Sequence, residues 1–299
     1  MDIKKYAAID IGSNAIRLLI SNIVTKKGNE PQFKKSSLVR VPIRLGEDSF
    51  IKGFISEKNK DRMINAMNAF QLLMQVHGIE KYRACATSAM RDASNGDEII
   101  EEIKKKTGVE IDVIDGKTEA SIIFSTDLSD VIKDNHSYLY VDVGGGSTEL
   151  TVFSNGKIVS AKSFKLGTVR LLNKLGNTKE MWKSMEKWIK SNTKGMKKII
   201  LIGTGGNINK IYKMSGKPPG KSLSYIYMNA HYKFLKQMSY SERISELSLN
   251  PDRADVIIPA TRIYLNAMKW SDSNKVIVPK IGLADGIIKT LYLSEKIDL

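Results

Sequence analysis

Two stretches of the chain, 132 residues apart, repeat a pattern of apolar strand, aspartate, small-residue turn and second apolar strand. The first runs Ala8-Ile9-Asp10-Ile11-Gly12-Ser13-Asn14-Ala15-Ile16-Arg17-Leu18-Leu19-Ile20. The second runs Tyr140-Val141-Asp142-Val143-Gly144-Gly145-Gly146-Ser147-Thr148-Glu149-Leu150-Thr151-Val152. Apolar runs bracketed by Gly, Ser and Asn predict a β-hairpin in each case. Two such hairpins facing each other across a cleft would offer two carboxylates and two phosphate-sized loops. That set suits a divalent metal and a phosphate chain. The copies differ at one charged position, where Arg17 of the first corresponds to Glu149 of the second.

The rest of the chain alternates strand and helix signals. Strands are predicted at 6–11, 15–24 and Ser37 to Leu45. Ser56 reads as the N-cap of a helix that Gly78 ends, with Met63, Met67, Phe70 and Met74 on one apolar stripe. A strand at 82–87 leads into the polar turn Thr87 to Asp92. A helix follows, with acids at its start (Asp97, Glu98) and lysines at its end (Lys104, Lys105, Lys106), the order that complements the helix dipole. After a strand at Glu110 to Ile114, Gly116 marks a hinge, and Glu119 falls in the first turn of the next helix. A third glycine turn, Gly203-Thr204-Gly205-Gly206-Asn207, follows an apolar strand. A basic loop spans Lys213 to Ser224, and helices dominate thereafter, at about 229–239, 241–247, 252–269 and 282–295. The expectation is two α/β domains, 1–118 and 119–299, with a cleft between them and the last helix free to pack back on the first.

Composition narrows the class. The 299 residues are 42% hydrophobic, enough for a sizeable core, and carry 47 Lys+Arg against 32 Asp+Glu, a formal charge of +15. Such a surplus favours an anionic partner. Aromatics are only 7% and no nucleic-acid-binding motif is present, which argues against nucleic acid. No run approaches the ~20 apolar residues of a membrane span, and the amino-terminal segment has no signal-peptide pattern. The single cysteine, Cys85, and the absence of a signal segment lead us to expect a cytoplasmic protein. His77, His136 and His231 have no metal-ligand spacing.

Asp10 and Asp142 each close a strand before a small-residue turn, and two such carboxylates can hold Mg²⁺, which prefers oxygen ligands and keeps several waters. Gly144, Gly145, Gly146 and the turn at Gly203 to Gly206 expose backbone N–H groups suited to phosphate oxygens. Ser13, Asn14, Ser147, Thr148, Thr204 and Asn207 add short donors, and Arg17 and Arg91 are the candidate phosphate-binding cations. Hydrolysis at phosphorus also needs a group that positions water. Spacing leaves Glu119 and Glu149 open between that task and ordinary structural roles.

These motifs resemble the exopolyphosphatase / guanosine pentaphosphate phosphohydrolase family of the actin-like ATPase superfamily. The matching stretches are Ala8 to Asn14, Ala86-Thr87-Ser88-Ala89-Met90-Arg91-Asp92-Ala93, Gly116-Lys117-Thr118-Glu119-Ala120, Val141 to Leu150, and Arg253-Ala254-Asp255-Val256-Ile257. The resemblance is to the short, two-domain form. It implies two actin-like (ribonuclease H-like) α/β domains with the active site in the interdomain cleft. It implies Glu119 as the catalytic glutamate, and Asp142 and Glu149 as acids that handle metal and phosphate, with Asp10 as their partner. It implies phosphate contacts from Arg91, from Ser13 and Asn14, from Gly144 to Ser147, and from the third turn with Gly205 and Asn207. Where many members carry an Arg-Glu pair, this chain has Gly282-Leu283-Ala284-Asp285-Gly286, so that arginine has no counterpart.

The expected activity is Mg²⁺-dependent release of terminal phosphate from inorganic polyphosphate. Guanosine pentaphosphate is the alternative substrate, and a sugar kinase or a non-catalytic polyanion binder are the competing classes. The expected partner is the polyanion, with Lys213, Lys217 and Lys221 on its approach surface. Nucleic acid and membrane are not expected, and a homodimer is left open.

Overall fold

Tyr6 to Ile11 is a buried run, the pattern of a strand covered on both faces. It lies in β1 (Asp2–Ile11), followed by β2 (Ile16–Thr25), β3 (Gln32–Val41), α1 (Leu45–Lys52), α2 (Glu57–His77), β4 (Lys81–Ala86), α3 (Ser88–Asp92), α4 (Gly96–Thr107), β5 (Ile111–Val113) and α5 (Gly116–Phe124). The computed structural model describes residues 1–126, 132 and 136–297, with side chains through Ser294. Its first sheet has the order β3-β2-β1-β4-β5. β1, β2 and β3 are antiparallel neighbours, and β1, β4 and β5 are parallel.

The second sheet is built from β6 (Ser137–Val143), β7 (Thr148–Ser154), β8 (Lys157–Phe164), α6 (Thr168–Leu172), α7 (Thr178–Thr193), β9 (Ile200–Thr204), α8 (Gly206–Met214), β10 (Leu223–Ser224), α9 (Tyr225–Gln237), α10 (Tyr240–Ser245), α11 (Pro251–Ala254), α12 (Ile257–Trp270) and β11 (Lys275–Ile277). Its order is β8-β7-β6-β9-β11-β10. Three antiparallel strands again flank a parallel set that begins with the hairpin's first strand. The repetition reaches fine detail. A register shift between Ile20 and Ser21 in β2 has its counterpart between Val152 and Phe153 in β7, at the same 132-residue offset as the motif.

The chain divides into one unit of Met1–Thr126 with Ile281–Leu299 and another of Asp127–Lys280. Each has its own apolar core. The division thus falls after Thr126 rather than between 118 and 119. The last helix, α13 (Leu283–Ile297), packs on α5, β1, β4 and β2 and holds α5 in the first unit. Contact between α13 and α5 is close because Gly286 has no side chain: a Cβ there would lie 2.2 Å from the Ile122 carbonyl oxygen. Gly116 opens α5, where Asp115 caps the helix by accepting from Thr118 N at 2.7 Å.

Three further differences have local causes. The third strand runs from 32 to 41, earlier than expected, because Arg44 turns left-handed (φ 63°) and Leu45 starts a helix. The polar stretch at Thr87 to Asp92 is not a turn but the short α3. Ser56 does precede α2, yet its hydroxyl does not cap the helix; it donates to Asp48. Among the described residues no helix is long and apolar enough to cross a membrane.

Asp48 ties α1 to the start of α2. Its carboxylate accepts from Lys52 Nζ at 2.8 Å, Ser56 N at 3.0 Å and Asn59 Nδ2 at 2.7 Å, as well as from the Ser56 hydroxyl. Burial opposes its charge, but these donors outweigh burial and hold the pKa at about 2. A depressed carboxylate stabilises the fold above its unfolded pKa and loses that contribution as pH falls through the folded one. From the shift, about 2 kcal/mol is present above pH ~4 and lost by pH ~2. Melting temperatures across that window should fall less steeply in Asp48→Asn than in the parent, and parallel curves would contradict this role.

Candidate active site

In the first unit the aspartate hairpin closes by a hydrogen bond from Gly12 N to Ala15 O of 3.2 Å. Its turn is braced from outside, since Ser13 O accepts from Gly46 N at 2.8 Å and Asn14 O accepts from Arg44 N at 3.1 Å. Asp10 and Arg17 are cross-strand partners, and Arg17 Nη1 donates to Asp10 Oδ2 at 2.6 Å. Asp10, expected to face a metal, therefore has one oxygen engaged by the cation expected to contact phosphate. Ser13 Oγ is 3.0 Å from Ser88 Oγ in a buried contact, and Thr87 N donates to Ile11 O at 3.1 Å. The start of α3 is thereby docked on the end of β1.

Arg91, exposed on α3, donates from Nη1 to Ile114 O at 2.7 Å, in the segment that leads into α5. Asp115 is held below the usual carboxylate range first by the Thr118 backbone N–H, with Arg91 contributing. Glu119 lies half-buried in the first turn of α5. Burial pushes the neighbouring Cys85 thiol up to about 11; Arg83 opposes the rise, and Asp112, Asp10 and Glu119 add to it. Asp10 and Glu119 thus act on one thiol, at the carboxyl ends of parallel strands β1, β4 and β5. Such strand ends are where open α/β sheets bind ligands. Cys85 itself is buried, and its raised pKa favours the protonated thiol.

The second unit repeats the turn closure, with Gly144 N donating to Ser147 O at 3.0 Å. Here the brace comes from the segment entering α6. Gly144 O accepts from Thr168 N at 3.0 Å, Gly145 O from Val169 N at 2.9 Å, and Gly146 O from Arg170 Nε at 2.9 Å. A planar trans peptide points its N–H opposite to its C=O. With three successive carbonyls turned toward α6, the N–H groups of Gly145, Gly146 and Ser147 are turned away from it. A row of such amides forms an anion-binding concavity.

Asp142 and Glu149 are cross-strand partners. Glu149 is 3% exposed, and its Oε1 accepts from Ser147 Oγ at 2.6 Å and from Ser163 Oγ at 3.0 Å. Like charges directly opposite one another are destabilising, and the two serine hydroxyls on Glu149 offset part of that cost. The third turn lies beside it. Gly205 has φ 106°, and a Cβ there would stand 3.1 Å from Asp142 Oδ1. Thr204 is held by Tyr140 Oη, 2.6 Å from its hydroxyl, and by the Tyr264 hydroxyl on its carbonyl. Tyr264 is fully buried, and burial first, then the charge of Asp142, raises its pKa. Asn207 presents a buried Oδ1 that no hydrogen bond satisfies among the described residues.

The family model of the Ppx/GppA phosphatases matches residues 23–295, nearly the whole chain. The chain belongs to the Ppx/GppA phosphatase family. A bifunctional 3-dehydroquinate synthase/phosphatase of Fusobacterium nucleatum is 31% identical over 91% of this chain and 44% of its own length, so the chain spans less than half of that relative. Exopolyphosphatase 1 of Mycobacterium tuberculosis is 22% identical, over 95% of this chain and 87% of the relative. Among solved structures, an exopolyphosphatase from Cytophaga hutchinsonii aligns with a TM-score of 0.85 at 26% identity, over 97% of this chain and 98% of that one. The Aquifex aeolicus Ppx/GppA family member aligns with a TM-score of 0.78 at 25% identity, over 98% and 99%.

Sequence reasoning missed Ser88, Ser163, Tyr140 and Tyr264. Ser88 had a signal, since it sits inside the Thr-Ser-Ala-Met-Arg-Asp block. Ser163 had none, because β8 was not predicted and its pairing with Glu149 is a matter of register. Gly167 was missed as well. A Cβ on it would lie 2.3 Å from Gly145 O and 2.4 Å from two backbone carbons of the turn. Gly167→Ala should therefore displace the turn from α6 and cost about 2 kcal/mol of stability. A melting temperature equal to the parent's would contradict this packing.

Proposed function

We propose that the chain is a Mg²⁺-dependent exopolyphosphatase that hydrolyses the terminal phosphate from inorganic polyphosphate. The observation that carries this reading is the second hairpin, where three backbone amides are turned to one side beside a pair of opposed carboxylates. The activity named for the Mycobacterium and Cytophaga relatives supports it.

Among the described residues no three of His, Cys, Asp and Glu converge as a ligand set. The pair Asp142 and Glu149 nevertheless fits Mg²⁺, a hard ion that takes oxygen donors and keeps several waters. When bound, the ion would neutralise charge on the phosphates. Asp10, bonded to Arg17, is assigned to orient that arginine toward phosphate. The amides of Gly145, Gly146 and Ser147 bind phosphate oxygens, with Ser13, Asn14, Arg91, Gly205 and Asn207 as further contacts.

Glu119 holds the attacking water and takes its proton. The water oxygen bonds to the terminal phosphorus, the bond from that phosphorus to the bridging oxygen breaks, and the chain leaves one phosphate shorter. We place the reaction in the cytosol, where a lone buried thiol such as Cys85 stays reduced.

Replacing Glu119 by Gln should lower phosphate release by at least 10²-fold and leave the fold and polyphosphate binding intact. Full turnover in that variant would remove Glu119 from the mechanism. A phosphate-release panel over polyphosphates, guanosine pentaphosphate and ATP, with and without Mg²⁺, tests the substrate. Release from polyphosphate only with Mg²⁺ is expected, and release from guanosine pentaphosphate alone would transfer the assignment to the nucleotide.

A further inference from the structure

The charge surplus is not shared between the two units. Met1–Thr126 with Ile281–Leu299 holds 22 Lys+Arg and 20 Asp+Glu, a surplus of 2, whereas Asp127–Lys280 holds 25 against 12, a surplus of 13. Within the second unit the density peaks at α7. Residues 174–198 contain eight lysines and only two acids, Glu180 and Glu186.

Five of these lysines form one line. Lys179, Lys183, Lys187 and Lys190 on α7 and Lys194 at its C-cap follow spacings of four, four, three and four. At 3.6 residues per turn they fall within about 80° of helix arc, over a length of about 22 Å. All five are exposed. The opposite side of the helix is used by the core, with Met185, Ile189 and Thr193 buried and the Trp188 ring edge-on to Phe164 at 5.9 Å. The helix therefore has no apolar face to insert into a lipid surface.

Helix stability does not account for the stripe. In α4 acids come first and lysines last, as the dipole favours, but α7 places Lys179 and Lys183 near its amino end, where cations are disfavoured. Lysines four apart also repel each other. One ion pair, Lys190 with Glu186 at 2.6 Å, relieves only part of this. The core-facing side of α7 joins the helix to the site through β8. Phe164, which meets Trp188, carries Lys162 Nζ 5.2 Å from its ring centroid, and its neighbour Ser163 holds Glu149.

We infer that the lysine stripe of α7 is an accessory docking surface for the distal part of an extended polyphosphate chain, outside the residues that act on its terminal phosphate. The inference rests on the polyphosphate reading above. It moves the polyanion's approach surface from the 213–224 loop, where Lys217 Nζ donates to Ser222 O at 2.8 Å, to α7. A chain of several tens of phosphates is long enough to engage the stripe and the terminal-phosphate site together. Tripolyphosphate is shorter than the stripe's own length of about 22 Å.

The test uses the full chain with Lys179, Lys183, Lys187, Lys190 and Lys194 all changed to Gln, which preserves helix propensity, and a second variant with all five changed to Arg. Dissociation constants for long-chain polyphosphate are measured by fluorescence anisotropy over a salt series, alongside kcat/KM for tripolyphosphate. The Gln variant should bind the long chain roughly 10- to 100-fold more weakly at low salt, with the slope of log K against log salt reduced by about three. Its tripolyphosphate kinetics should be unchanged, and the Arg variant should bind like the parent.

An unchanged long-chain dissociation constant in the Gln variant would overturn the inference. So would an equal loss on the long and short substrates. So would a loss confined to duplex DNA or to vesicles containing phosphatidylserine. Because binding is read directly, a parent protein that binds long-chain polyphosphate through the stripe but releases no phosphate would refute the functional reading and not the docking surface.

Discussion

The cross-strand position next to each hairpin turn governs the chemistry of this fold. Side chains directly opposite one another on antiparallel strands share a face and lie about 5 Å apart at Cβ, so two charges there cannot ignore each other. In the first unit the pair is Asp10 with Arg17, and a 2.6 Å ion pair settles it. In the second the pair is Asp142 with Glu149, and nothing within the pair can neutralise it. Two serine hydroxyls on Glu149 supply part of the compensation. On the proposed reading a Mg²⁺ ion held by the pair would add to it. One duplicated framework thus carries an opposite-charge pair at this position in the first hairpin and a like-charge pair in the second.

The surrounding architecture keeps these pairs in register. Both turns close by the same glycine-to-third-residue hydrogen bond, and both second strands carry a register shift at the equivalent place. The braces differ. Arg44 and Gly46, at the start of α1, support the first turn, whereas Gly167 to Arg170 support the second and take all three glycine carbonyls. The glycine at 167 follows from that brace, since a Cβ there would lie 2.3 Å from Gly145 O, a distance that leaves no room for a side chain. Gly286 acts likewise for α5, allowing α13 to lie against the helix that carries Glu119.

Much of this was legible in the sequence because the hairpins are local. Asp, turn and return strand lie within a dozen residues, so the correspondence of Arg17 with Glu149 could be read from the offset alone. The stripe of Met63, Met67, Phe70 and Met74 was legible for the same reason, and all four are buried. What escaped depends on long-range register or steric contact. Ser163 matters only because β8 pairs beside β7, Tyr264 only because α12 brings it to Thr204, and Asp48 only because α1 and α2 meet at Ser56. The engagement of Asp10 by Arg17 needed coordinates, since spacing shows two charges but not which partner each selects. The uneven charge of the two units became readable only once the chain's return to its first unit at Ile281 was known.

The most direct test of the divided roles of the two hairpins is a titration of the full chain with Mn²⁺, which stands in for Mg²⁺ and is followed by electron paramagnetic resonance. The account predicts that Asp142→Asn and Glu149→Gln each remove the protein-bound Mn²⁺ signal, while Asp10→Asn retains it. Loss of the signal in Asp10→Asn, with retention in the other two variants, would contradict the assignment of the metal to the second hairpin.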